Sequence, residues 1–196
     1  YKRVVLCAPP GSGKTTIIPL EMLKFNVLKG RILMLEPRRL AARSAAERMA
    51  QTLGEQVGQT IGYQIKGESK LSANTRVEVV TEGILTRMLQ SDCELNGIGA
   101  VIFDEFHERS LHADLGLALC LEISETLRED LLILVMSATL ETESISKILN
   151  DAPVIRAQGR SFPVTPIWLD RPLAKATHFE SSFAELILKA INEEQG

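Results

Sequence analysis

The chain has 196 residues, 45% hydrophobic and 24% charged, enough to bury a real core in one compact domain with a fragment of another. A formal net charge of −3 excludes the polybasic proteins that hold nucleic acid by bulk charge, so any such binding must come from a local patch. No run approaches the roughly 18 uninterrupted apolar residues of a membrane span, and the three cysteines, Cys7, Cys93 and Cys120, form no CxxC pair and read as reduced thiols of a cytoplasmic protein.

Tyr1-Lys2-Arg3 leads straight into the first apolar run, and the chain reads as part of a longer protein. Runs rich in Val, Ile and Leu at Val4 to Ala8, Ile32 to Leu35, Val77 to Thr81, Ala100 to Phe103 and Leu131 to Met136 predict buried parallel strands. Helical periodicity falls between them. From Arg38 to Leu53, Ala41, Ala45, Met49 and Leu53 recur every fourth residue, and from Leu111 to Leu127 the stripe is Leu115, Leu119, Ile123 and Leu127. The glycine-rich span Gly54 to Asn74 predicts an extended loop or irregular strand. Beyond Thr139 the pattern gives a helix near Glu141 to Leu149, a short strand around Val154, and a last helix from Ser181 to Glu194 with Ser182 and Glu185 as its capping pair. Strands alternating with helices imply an α/β fold, a parallel sheet with right-handed crossovers and helices on both faces.

Each apolar run ends in polar or glycine-rich chemistry: PPGSGKTT, EPRR, TEG, DEFHE and SAT. In an open parallel sheet these carboxyl ends share one rim, where ligands bind. The first has the strand-to-helix context of a phosphate-binding loop. Gly11 and Gly13 let the backbone turn its amides toward phosphate oxygens, and the helix near Lys14 adds its positive end. Lys14 would reach the β- and γ-phosphates of a nucleoside triphosphate, and the Thr15 hydroxyl would ligate Mg²⁺. Ser12 and Thr16 are further candidate nucleotide contacts, and Tyr63 and Gln64 candidate ligand contacts. Ala8 stands where such loops commonly begin with glycine, and Pro19 falls early in the following helix, where it costs stability unless the helix bends. Asp104 at a later strand end suits a second Mg²⁺ ligand, and Glu105 beside it can take a proton from the attacking water. Glu108, three residues on, has no evident role.

In their order, AxxGxGKT, PRR, TEG, DExH and SAT resemble the first RecA-like domain of superfamily-two helicases. TTIIPL, EPRRLAA, IGYQIKGE, DEFHERS and GRSFPV narrow the resemblance to the DEAH/DExH-box RNA-helicase group and its bacterial HrpB-type branch. The resemblance runs from about Val4 to Val164. It implies a RecA-like P-loop NTPase lobe at residues 1–169, with 170–196 a linker and the first helix of an incomplete second lobe. It implies ATP and Mg²⁺ as cofactors, bound at Lys14, Thr15 and Asp104, with Glu105 as base. His107, Ser137 and Thr139 would couple phosphate state to the nucleic-acid site, and Ser137 and Thr139 also suit helix caps ahead of Leu140. Arg38, Arg39 and Thr81 would face the backbone of a single strand, RNA more than DNA, and Arg48 would stack on the nucleotide base. Arg39 and Arg48 lie on opposite sides of a helix turning about 100° per residue, which suits different partners. No QxxGRxGR-type arginine-finger segment occurs in the chain, so the implied partner is a second RecA-like lobe of the same protein. Two other classes stay open: an ATPase of this fold acting on something other than nucleic acid, and a scaffold that no longer hydrolyses.

Overall fold

The computed structural model describes residues 1–25, 28–139, 142–158, 166–168 and 179–193. The chain divides into two compact units, Tyr1–Arg160 and Ser161–Gly196. In the first, the described elements run β1 (Arg3–Cys7), α1 (Lys14–Lys24), β2 (Arg31–Glu36), α2 (Arg39–Leu53), β3 (Ile61–Ile65), β4 (Glu68–Lys70), β5 (Val77–Thr81), α3 (Glu82–Ser91) and β6 (Ile98–Phe103). A single 3-10 turn, Phe106–Glu108, then leads to α4 (Leu111–Thr126), β7 (Leu132–Ser137), α5 (Thr142–Ile148) and β8 (Val154–Arg156). The second unit holds α6 (Phe179–Glu193).

The strands form one sheet in the order β4-β3-β5-β2-β6-β7-β1-β8. Every neighbouring pair is parallel except β3 and β4. Successive residues of a strand point to opposite faces, and here both faces are covered: Leu33 and Leu35 join one core cluster, Ile32 and Met34 the other. The first cluster draws in α3, α4 and α5 through Leu85, Leu117, Cys120 and Ile145; the second draws in α2 through Ala42, Ala46 and Met49, with Ile18 of α1 against it. This is why the strands read as unbroken apolar runs. The five expected strands form close to their expected bounds.

The strand reading of Gly54 to Asn74 holds in part, and two other expectations are corrected. Ile61, Tyr63 and Ile65 are buried and make β3 an interior strand. Gly62 permits it, since a Cβ there would lie 2.4 Å from the Lys70 carbonyl oxygen. On α4 the buried face is Ala113, Gly116, Leu117, Cys120 and Ile123, while Leu115 and Leu127 of the expected stripe are 44% and 54% exposed. The small residues Ala113 and Gly116 let the helix pack closely on Leu85 and Phe103, which leaves Leu115 turned outward. The last helix starts at Phe179, so Ser182 lies inside its first turn and does not cap it. Pro19 is accommodated, buried, within α1. The GRSFPV segment and the expected 169–170 join lie outside the described residues, and among those residues no helix is long and apolar enough to cross a membrane.

One charged pair lies within the sheet. Glu78 on β5 is 2% exposed and accepts a hydrogen bond from Arg31 Nη1 on β2 at 3.0 Å. Burial raises the Glu78 carboxyl above its ordinary 4.5, and the Arg31 charge opposes that rise. A group whose folded pKa is raised contributes stability below its unfolded pKa and loses it as pH climbs through the folded one. Arg31→Ala removes the opposing charge, so its deficit should be small at pH 4.5 and grow toward neutral pH to about 1–3 kcal/mol, below the range for a fully buried pair because Arg31 is partly exposed. Urea denaturation across pH measures this, and a deficit independent of pH would mean that the charge pairing is not what Arg31 supplies.

Candidate nucleotide and strand site

The sheet order places β5, β2, β6, β7 and β1 side by side, all parallel, so the five motif-bearing ends meet on one rim as TEG, PRR, DEFH, SAT and the phosphate loop. Their register is level. Cys7 pairs with Ser137, Phe103 with both Leu35 and Val135, and Glu36 with Thr81. Asp104 N–H donates to the Leu35 carbonyl at 3.0 Å and Ala8 N–H to that of Ser137 at 3.0 Å, which extends the ladder into the motifs themselves.

In the phosphate loop Gly11 and Gly13 both take positive φ, 73° and 81°, as the expected bend requires. Gly13 precedes α1, and a Cβ on it would meet Ile17 at 2.7 Å. Lys14 and Thr15 open the helix, and Thr16 Oγ1 donates back to the Gly13 carbonyl at 3.3 Å. Ser12 Oγ is buried with no hydrogen-bond partner among the described residues. A buried hydroxyl costs free energy until something bonds it, so Ser12 is suited to a polar ligand in this loop.

The loop is locked to the acidic cluster by two contacts. Thr15 Oγ1 donates to Asp104 Oδ2 at 2.5 Å, and Lys14 Nζ pairs with Glu105 Oε1 at 2.8 Å. Lys14 is 6% exposed and Asp104 5%, so both contacts lie where water screens little. Burial is the main force raising the Asp104 carboxyl above its usual range, opposed by hydrogen bonds from Thr15, Glu36 and the Glu105 amide. Glu36, the last residue of β2, is pushed up to about 9 by burial first and by the charge of Asp104 second. Glu36 is therefore the group that stays protonated near neutral pH, beside Asp104. Its part in the site was missed because nothing in EPRR shows that β2 and β6 are neighbours.

Glu105 itself adopts left-handed backbone, φ 48° and ψ 35°, before the turn Phe106–Glu108. His107 Nδ1 lies 3.4 Å from Glu105 Oε2 and accepts a hydrogen bond from Ala138 N–H at 3.3 Å. The Nδ1 edge of the ring therefore faces both the DEFH carboxylate and the SAT backbone. Ser137 is fully buried, its Oγ accepting from Thr139 N–H at 3.2 Å and lying 3.3 Å from Thr139 Oγ1. Residues 140 and 141, which these two were expected to cap, lie outside the described set.

Next along the rim, Arg38 is the extended residue that precedes α2; its guanidinium is exposed and paired with Glu108 of the DEFHERS segment. Arg39 donates to the Lys66 carbonyl at 2.9 Å, and Thr81 is half-buried ahead of α3 with its hydroxyl not used as a cap. Arg48 sits on the exposed face of α2 and bonds Gln51 at 3.3 Å. The structure thus brings Lys14, Thr15, Asp104, Glu105, His107 and Ser137 into one connected cluster, with Arg38 joined to it through Glu108. It gives Arg48, Arg39 and Thr81 no bond to that cluster among the described residues.

Comparison with known proteins follows the same lines. The chain is 48% identical to the ATP-dependent RNA helicase HrpB of Escherichia coli over 194 residues, covering 99% of this chain and 24% of that protein. It is 38% identical to the Escherichia coli ATP-dependent RNA helicase HrpA over 195 residues, 98% of this chain and 15% of HrpA. The crystal structure of the Escherichia coli DEAH/RHA helicase HrpB superposes with a TM-score of 0.89 over 100% of this chain and 25% of its own. The DEAD/DEAH box helicase profile matches residues 1–148, the span that carries all five rim motifs, and the chain belongs to the DEAD/DEAH box helicase family.

Proposed function

We propose that residues 1–169 form the ATP-binding lobe of an ATP-dependent helicase that acts on single-stranded RNA, and that 170–196 lead into a second RecA-like lobe which supplies the arginine fingers. The observation that carries this reading is the interlock of Lys14 with Glu105 and of Thr15 with Asp104, on the rim that also bears Arg38, Arg39 and Thr81. Neither a scaffold nor a pump of other cargo needs both halves of that rim.

The donor set fits Mg²⁺. A hydroxyl and a carboxylate, both hard oxygen donors, lie together at the loop, and Mg²⁺ is held by one or two such groups plus substrate phosphates in place of a protein-only cage. Among the described residues no cluster of three His, Cys, Asp or Glu side chains suits a metal. Thr15 and Asp104 would hold the ion, which when bound neutralises charge on the β- and γ-phosphates. Gly11, Gly13 and the start of α1 present amides to the phosphates, and the unpaired Ser12 hydroxyl completes the cradle. Lys14 turns from Glu105 toward phosphate, which frees the Glu105 carboxylate to take a proton from water. His107 bridges Glu105 to Ala138, so a shift of Glu105 is felt at Ser137 and Thr139. Arg38, Arg39 and Thr81 grip the strand backbone, and Arg48 stacks on the base.

Hydrolysis by the full-length protein, with and without single-stranded RNA and DNA, tests the reading; failure of both strands to stimulate it would reject a nucleic-acid substrate. Lys14→Ala should abolish nucleotide binding, whereas Glu105→Gln should still bind ATP while turnover falls by about 10²- to 10⁴-fold. Normal hydrolysis by Glu105→Gln would remove Glu105 as the base. The 196-residue chain alone should turn over on the order of 10³- to 10⁵-fold more slowly than the RNA-stimulated full-length protein, because it carries no arginine finger. Equal rates in a single-turnover comparison would sink the two-lobe mechanism.

A further inference from the structure

Glu108 is the third carboxylate of DEFHERS, and neither the nucleotide chemistry nor the strand grip uses it. Its partner is informative. Arg38, 70 residues earlier in the chain, reaches across the rim from the start of α2 to place Nη2 on Glu108 Oε1. Arg38 is also the residue assigned to a strand phosphate, and a guanidinium paired with a carboxylate has fewer donors left for a phosphate. Both groups are accessible, 69% and 35% exposed at the side chain, so a strand can reach the pair and compete for it.

The segment that carries Glu108 is short and stiff. Phe106 is buried and makes a T-shaped contact with Phe103 of β6, while Arg109 lies over its ring, 5.5 Å from the centroid, and pairs with Asp114 at 2.9 Å. The turn is bracketed by two non-glycine residues at positive φ, Glu105 at 48° and Arg109 at 44°, and closed by Glu108 N–H to the Glu105 carbonyl at 2.9 Å. Such backbone is held only where its surroundings over-determine it. A load removed from Glu108 is therefore passed through one hydrogen-bonded turn to Glu105 and not absorbed in a loop.

We propose that Glu108 is a positioning residue that stands in for a strand phosphate: it holds Arg38 until a phosphate displaces it, and its release is transmitted through the Phe106–Glu108 turn to Glu105. This rests on the reading of Arg38 as a strand contact. The pair thus sets a threshold for strand binding and ties that event to the base.

The test is a double-mutant cycle in the full-length protein, read by the affinity for a fluorescent single-stranded oligouridylate across salt concentrations. Glu108→Gln, near-isosteric and at an exposed position, should tighten binding by about 1.5- to 5-fold, the span expected for one exposed ion pair. That gain should vanish in the Arg38→Ala background. Strand-free hydrolysis by Glu108→Gln should rise and its ratio of stimulated to basal rate should fall, a readout that a merely structural glutamate would not move. Unchanged affinity in Glu108→Gln, or a gain that persists without Arg38 and so reflects only the lost negative charge, overturns the latch while leaving the strand reading in place. If Arg38→Ala alone leaves both affinity and the salt slope unchanged, where one phosphate contact is worth about 0.7 in slope, Arg38 does not touch the strand and both ideas fall together.

Discussion

The structure depends on one buried cation. Lys14 leaves water at the start of α1 and meets Glu105, and the desolvation of an ammonium is tolerable only beside an opposite charge. That requirement fixes the distance between the loop after β1 and the loop after β6, although β7 lies between them in the sheet. The fit is possible because β7 ends level with both, its Ser137 paired with Cys7 and its Val135 with Phe103. Sheet register, not loop chemistry, is what brings the charges together.

The same register sorts the acids. Glu36, Asp104 and Glu105 lie at adjacent strand ends, and three carboxylates so close cannot all be charged in a buried place. The site resolves this by giving the proton to Glu36, whose pKa is carried to about 9, and by pairing Glu105 with Lys14. Asp104 keeps donors on both oxygens, Thr15 on one and the Glu105 amide on the other. The result is a carboxylate held in one orientation by its neighbours.

Much of this was legible in the sequence because the fold is locally written. Five apolar runs, each stopping at a polar motif, required a parallel sheet and hence a shared rim, and the phosphate loop and Asp104-Glu105 fall where spacing alone places them. What was not legible depends on neighbours far apart in the chain. Glu36 gains its role only from β2 lying beside β6, and Glu108 only from Arg38. The interior place of β3 hid behind glycines, although Ile61, Tyr63 and Ile65 alternate as a strand should. On α4 four of the five leucines lie off the buried face, so counting apolar positions picked a stripe where small side chains had already chosen another.

The order of motifs along the rim has a mechanical meaning. TEG and PRR stand on one side, SAT and the phosphate loop on the other, and DEFH on β6 is the strand between them. Each residue of that central segment faces a different neighbour: Asp104 and Glu105 reach the phosphate loop, His107 reaches Ala138, and Glu108 reaches Arg38. Phe106 points into the core and keeps the turn from sliding. Because the turn is only three residues long and bounded by strained backbone at each end, its side chains cannot move independently. On the proposed reading, a change at the phosphate loop would reach Arg38 on the other side within a single turn of chain, with no relay through the hydrophobic core, whose close packing would resist such motion.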